Sequence, residues 1–229
     1  MYKKSKGGGY MPLKKIIKDF KELEYEVNKD FYIGLKDGQE PHILFIGCSD
    51  SRVNAEALFR AKAGELFQIR NIANIVPRKE IADTNYSVVS AIEYAVNVLN
   101  VKSIIVCGHS NCGGCSAIIH PEKSKDSLPY TGEWIKQSLA VSEHVNRKYP
   151  DMSEDEKLVM VEKLNAIQQL DNLMTYDFVR RKFESGELNL QAFYYDIGAG
   201  DITVYDYKGT LPDPECGCEF HLENDECVN

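Results

Sequence analysis

The sequence predicts an α/β fold built on a parallel sheet, and three observations lead there. Short apolar runs end at a glycine, as in 43–47 (ILFIG) and 103–108 (SIIVCG), and read as buried strands. Between them lies an amphipathic stretch long enough for a crossover helix, Thr84 to Leu99, with Val88, Ala91, Ile92, Ala95 and Leu99 on one side. Such alternation of strand and helix favours parallel strands joined by right-handed crossovers.

Taken in order, residues 1–11 read as a flexible tail with a Gly7-Gly8-Gly9 run. From Pro12 to Tyr32 the spacing predicts a helical arm, because Leu13, Ile16, Ile17, Phe20, Leu23 and Val27 share one face. Lys36-Asp37-Gly38 signals a turn and Pro41 opens the first core strand. Asn54 is placed to cap a short helix through Phe59, and ELFQIRN (65–71) reads as the second strand. Ser103 to Cys107 is the third. Lys123 to Tyr130 is polar and reads as a loop, followed by helical patterns over Glu133 to Lys148 and Ser153 to Phe183. Ser153 and Glu156 suit a capping box at the start of the second pattern. Leu190 to Asp196 and Ile202 to Tyr207 read as strands joined by a Gly-Ala-Gly turn at a sheet edge. The whole reads as a single domain over 1–229, with an arm at 12–35 and a tail at 214–229.

Bulk properties exclude several classes of function. The 229 residues carry 43% hydrophobic and 27% charged side chains, which describes an ordinary globular chain. A net charge of −8 argues against nucleic acid or an anionic membrane as partner. No apolar run approaches the ~20 residues needed to span a bilayer. The basic N-terminus has no apolar segment behind it, so a secretory signal is not expected and a cytoplasmic location is. Seven cysteines in a reducing compartment point to metal binding or chemistry before disulfides.

The chemistry concentrates where two strands end. The first supplies Cys48, Asp50 and Arg52; the second supplies His109 and Cys112. Ligands of open parallel sheets sit outside the carboxyl ends of the strands, so both segments would feed one site. Cys48, His109 and Cys112 suit zinc, and three protein ligands leave a fourth position for solvent, the catalytic pattern. A structural zinc with Cys107 or Cys115 as fourth ligand is the plainer alternative. Asp50 could orient zinc-bound solvent, with Arg52 keeping it ionised through a bidentate fork. It could also be the fourth ligand, or half of an ordinary ion pair at a turn. Gly113-Gly114 lets backbone pass close to the metal. Cys112-Gly-Gly-Cys115 also fits a dithiol redox pair, though that reading leaves His109 and CSDSR without a role.

CSDSRV at 48–53 with GHSNCGG at 108–114 resembles the beta class of carbonic anhydrases. The segments GELFQIRNIAN (64–74), AIEYAV (91–96), NAIQQLDNL (165–173) and FYYDIGAG are similar to that family as well. The resemblance implies four parallel strands plus an antiparallel edge strand, flanking helices, and a homodimer as smallest unit, with homotetramers familiar. It implies one zinc per chain on Cys48, His109 and Cys112, an Asp50–Arg52 catalytic dyad, and reversible hydration of carbon dioxide to bicarbonate. Gln39, Phe67 and Tyr94, with Gly113, fall at positions of the carbon dioxide pocket, which in the family often forms across the dimer interface. A bicarbonate-regulated branch has tryptophan where Phe45 stands here, which favours the form with Asp50 paired to Arg52.

Other functions stay open at this point. The same zinc scaffold can hydrolyse carbonyl sulfide or carbon disulfide, and a closed site would make a non-catalytic zinc or bicarbonate sensor. His42, His120 and His144 are proton-relay candidates by residue type alone. The tail residues Cys216, Cys218, His221 and Cys227 fit a second metal, a disulfide, or an exposed tail with no metal.

Overall fold

A computed structural model describes residues 12–124, 127–210, 214, 218–220 and 227–228 of the chain, the last two short segments as backbone only. The chain divides into two units, Met1–Gln39 and Glu40–Asn229.

In the first unit the single helix expected over 12–32 is broken. Helix α1 (Leu13–Asp19) runs into a π-helical turn, Phe20–Tyr25, and α2 (Lys29–Gly34) restarts after Asn28 leaves helical geometry at φ −113° and ψ 30°. Asparagine competes for backbone hydrogen bonds, and here Asn28 Nδ2 donates to the Glu24 carbonyl at 3.0 Å. The aromatic rings close the gap: Tyr25 stacks on Tyr32 at 5.5 Å. Leu13, Ile16, Ile17, Phe20, Leu23 and Val27 are all exposed.

The second unit follows the expected alternation. Strand β1 (Ile43–Cys48) leads to α3 (Ala55–Phe59), which Asn54 caps by accepting from the Ala57 N–H at 3.1 Å. Then come β2 (Leu66–Asn71), α4 (Tyr86–Asn97) and β3 (Ser103–His109). A helical stretch follows: α5 (Gly113–Ile119), α6 (Pro121–Ser124), α7 (Pro129–Ile135), α8 (Leu139–Lys148), α9 (Glu154–Met174) and α10 (Asp177–Glu184). Strands β4 (Asn189–Asp196) and β5 (Asp201–Asp206) complete the expected set. The order is β2-β1-β3-β4-β5, parallel through β4, with β5 antiparallel at its edge. Short β6 (Cys218–Phe220) and β7 (Cys227–Val228) extend the sheet beyond that edge. Cys216 and His221 lie outside the described residues.

Three local expectations change. The loop expected at Lys123–Tyr130 is invaded from both ends, because α6 reaches Ser124 and Pro129 takes the first position of α7, where a missing N–H costs nothing. The helical pattern from Glu133 splits at a 3-10 turn, Lys136–Ser138, between α7 and α8. The Ser153–Glu156 capping box is present at the start of α9, and Tyr176, extended at ψ 120°, ends that pattern before α10.

The period of two along the strands sorts the core. Leu44, Ile46, Ile104, Val106, Leu190 and Ala192 pack against Val88, Ile92 and Ala95 of α4 and Ala166, Leu170 and Leu173 of α9. Phe45 and Cys107 face the other way, with Ala55, Leu58 and Phe59 of α3. Truncating one of these fully buried residues, such as Ile104 to alanine, is expected to cost about 2–5 kcal/mol. Ile46 pairs with Val106 and His109 with Tyr195, so β1, β3 and β4 release their next residues at one edge. The site is built there.

Candidate metal centre

The parallel register brings the two sequence segments together. Cys48, the last residue of β1, places its Sγ 3.8 Å from Sγ of Cys112, which precedes α5. His109 ends β3 and is fully buried; its Nδ1 lies 3.0 Å from the Ser110 carbonyl, while Nε2 has no hydrogen-bond partner. One ligand atom from each of the three side chains falls within 4.8 Å of the others, the only such group of potential metal ligands found among the described residues.

These residues fit zinc on three physical grounds. Tetrahedral zinc with Zn–S bonds of ~2.3 Å requires a sulfur–sulfur edge of about 3.8 Å, the separation the two sulfurs have. An orphaned, buried imidazole nitrogen beside them is a costly arrangement that a cation resolves. The thiols themselves need a cation to ionise. The Cys48 thiol is pushed up to about 12 by its hydrogen bond with Cys112 and then by burial. The Cys112 thiol is pushed up as well, chiefly by its hydrogen bond with Cys115. Cys107 is excluded by the pleat: it packs with Phe45 and its Sγ turns to the Gly108 carbonyl at 3.4 Å.

Asp50 and Arg52 stand at the solvent side. Arg52 Nε and Nη2 donate to the two carboxylate oxygens of Asp50 at 2.9 and 2.7 Å, and the Arg52 backbone N–H adds a third bond at 2.9 Å. That fork holds the Asp50 carboxyl well below the usual carboxylate range. Arg52 also donates to the Asn111 carbonyl at 3.0 Å, tying the first loop to the second. Oδ2 of Asp50 lies 4.0 Å from His109 Nε2, so the carboxylate borders the candidate ligands while both its oxygens remain engaged by Arg52.

A cleft of about 410 Å³ opens on this edge, walled by Cys48, Ser49, Asp50, Ile72, Gly113, Gly114, Ala117, Leu128 and Thr131. Gly114 has no room for a side chain, since a Cβ there would meet Ala73 Cβ at 2.8 Å. Phe67 and Tyr94 are brought together, with ring centroids 6.0 Å apart and planes 28° from parallel, but neither is among the walls of this cleft. Gln39 ends the first unit and is exposed. Phe45 is fully buried, edge-on to Phe59 at 5.8 Å. His120 pairs with Glu122 and Glu154 at 3.6 and 3.4 Å.

Sequence reading missed the residues that hold the loops from behind. Arg70, on β2, donates to the Cys48 carbonyl at 2.8 and 3.1 Å and to the Asp50 carbonyl at 2.6 Å. Glu162, on α9, accepts from the Cys112 N–H at 2.7 Å and from the Tyr194 hydroxyl at 3.2 Å. Burial pushes the Glu162 carboxyl up to about 7. One signal was available: Glu162, Asn165, Gln169 and Asn172 recur on one side of α9, interrupting its apolar stripe.

The comparisons with known proteins agree on one family. A profile described as carbonic anhydrase matches residues 43–202. A carbonic anhydrase of Helicobacter pylori is 38% identical over 200 residues, covering 86% of this chain and 90% of that one. The structure of the beta-carbonic anhydrase CcaA superposes with a TM-score of 0.84 at 32% identity, covering 92% of each chain. A tetrameric beta-carbonic anhydrase of Sordaria macrospora has a TM-score of 0.72 at 29% identity, covering 85% of this chain and 94% of that one.

Proposed function

This chain belongs to the beta-class carbonic anhydrases, and on that premise we propose that it hydrates carbon dioxide reversibly to bicarbonate and a proton through an Asp50–Arg52 dyad beside the Cys48–His109–Cys112 centre. The observation that carries the reading is the juxtaposition of two sulfurs 3.8 Å apart, an unpartnered imidazole nitrogen, and a carboxylate locked to arginine at the same edge.

Cys48, His109 and Cys112 would hold one zinc ion, whose Lewis acidity lowers the pKa of a water molecule. Asp50, kept ionised by Arg52, accepts a hydrogen bond from the attacking solvent and so aims its lone pair at the substrate carbon. Ile72, Ala117 and Leu128 give the cleft an apolar wall suited to an uncharged substrate. Gly113 leaves room beside it. Gln39, Phe67 and Tyr94 are assigned to the substrate pocket on the family resemblance, with Tyr94, 46% exposed, available to a neighbouring protomer. Two thiolate donors offset most of the charge of a dication, so turnover is expected to climb toward alkaline pH. A rate profile already flat well below neutrality would contradict this.

Self-association through the exposed apolar stripe of the N-terminal arm is part of the proposal, supported by that stripe and by the tetrameric Sordaria relative. A cytoplasmic, reducing location suits the buried free thiols found among the described residues, Cys48, Cys107, Cys112 and Cys115.

The test is stopped-flow hydration of carbon dioxide with zinc content measured on the same samples. The parent is expected to turn over in proportion to bound zinc, and Cys48→Ser to lose both zinc and turnover. Folded, zinc-loaded parent protein without turnover would overturn the proposal.

A further inference from the structure

Glu162 is a buried carboxylate that the mechanism above does not use. It is fully buried at the ninth residue of a long helix, and no salt bridge to it is formed among the described residues. Burying an acid without a cation costs several kcal/mol, so it persists where its hydrogen bonds secure something. Its two oxygens are both engaged: one by the Cys112 N–H at 2.7 Å, the other by the Tyr194 hydroxyl at 3.2 Å.

The surroundings bring α9 to this point. Gly108, one residue before the ligand His109, has no room for a Cβ, which would meet the Glu162 carbonyl at 2.9 Å. Below Glu162 the same polar stripe continues the task. Asn165 Nδ2 donates to the Ala73 carbonyl at 2.8 Å, Gln169 Oε1 accepts from the Val76 N–H at 2.8 Å, and Asn172 Nδ2 donates to the Val76 carbonyl at 2.9 Å. Asn165, Gln169 and Asn172 therefore satisfy backbone of the segment 73–76 that follows β2. Glu162 is the member that reaches a metal ligand.

We propose that Glu162 is a positioning residue for the metal centre: by accepting from the Cys112 N–H, with Tyr194 holding its other oxygen, it fixes where the Cys112 sulfur stands relative to Cys48 and His109. Groups that orient metal ligands typically contribute 10- to 100-fold in metal affinity. The inference rests on the zinc reading of the centre, and the experiment separates the two. Parent protein that binds no zinc sinks that reading; parent that binds zinc while the variants below match it sinks only the role of Glu162.

The experiment measures zinc affinity by chelator competition, and the absorption of the cobalt-substituted protein, for Glu162→Ala, Glu162→Gln and Tyr194→Phe. Glu162→Ala is expected to weaken zinc binding 10- to 100-fold and to alter the cobalt ligand-field bands. Glu162→Gln keeps an acceptor for the Cys112 N–H and is expected to restore most of the affinity and the parental spectrum. Tyr194→Phe frees the second oxygen and is expected to weaken binding several-fold, which keeps the test decisive if Glu162→Ala does not fold. Parental affinity in both Glu162→Ala and Tyr194→Phe overturns the proposal, as does a Glu162→Gln variant no better than Glu162→Ala.

Discussion

The loop after β1 and the loop after β3 meet at one centre, yet they are held in opposite ways. Residues 48–52 carry an ion pair that solvent reaches, with the Asp50 side chain 20% and the Arg52 side chain 45% exposed. Their carbonyls, at Cys48 and Asp50, are tied down by a cation, Arg70. Residues 109–112 bury both candidate ligands, His109 and Cys112; their N–H, at Cys112, is tied down by the carboxyl group of Glu162. A guanidinium donor meets carbonyl acceptors on one side, and a buried carboxyl acceptor meets an N–H donor on the other. The contrast teaches where adjustment is possible: the ion pair stands on the loop that solvent reaches, while the second loop is enclosed and held by buried hydrogen bonds.

Breaking the exposed loop should separate turnover from metal binding. Asp50→Asn and Arg52→Ala are each expected to lower the hydration rate on the order of 10²-fold, the size typical of losing one preorganised polar group, while zinc content stays at the parental level. Loss of zinc in these variants, measured by metal analysis, would place Asp50 among the ligands and erase the contrast.

A smaller effect is expected behind the same loop. Arg70→Ala removes the bonds to the Cys48 and Asp50 carbonyls and should destabilise the fold by about 1.5 kcal/mol, the lower end for hydrogen bonds to a charged group, because Arg70 is itself exposed. Denaturant titration of the metal-free protein reads this directly. An unchanged midpoint would mean that the loop is held by Asp50–Arg52 alone.

The smallest effect concerns pH. The Arg52 fork depresses the folded-state pKa of Asp50 below its unfolded value. Stability from this pair is therefore fully present above the unfolded carboxylate range and is lost only as pH falls through the depressed folded value. Between pH 5 and 8 the stability difference between the metal-free parent and Asp50→Asn should stay flat, narrowing only in more acidic solution. A difference that already shrinks near neutrality would show that Asp50 is not held ionised by Arg52.

Much of the centre was legible beforehand, and the reasons differ by residue. Cys48, Asp50, Arg52, His109 and Cys112 announce themselves because thiol, imidazole and carboxylate are rare at the ends of apolar strands. Arg70 and Glu162 did not, since a charged residue in a strand or a long helix reads first as solvated surface. In the arm, Asn28 breaks the helix just beyond the last apolar position, Val27, because a side-chain competitor for backbone bonds leaves hydrophobic periodicity untouched.

The succession of the five core strands, the faces they bury and the candidate ligands Cys48, His109 and Cys112 could be read in the sequence itself, because hydrophobic period and side-chain chemistry are properties of neighbouring residues. Tertiary structure alone decided that Cys48 and Cys112, 64 positions apart, stand 3.8 Å from one another. It also decided that Glu162 turns inward toward one of them. Strand register and the rotation of α9 about its axis emerge from packing between elements remote in the chain, and no local window of residues contains that information.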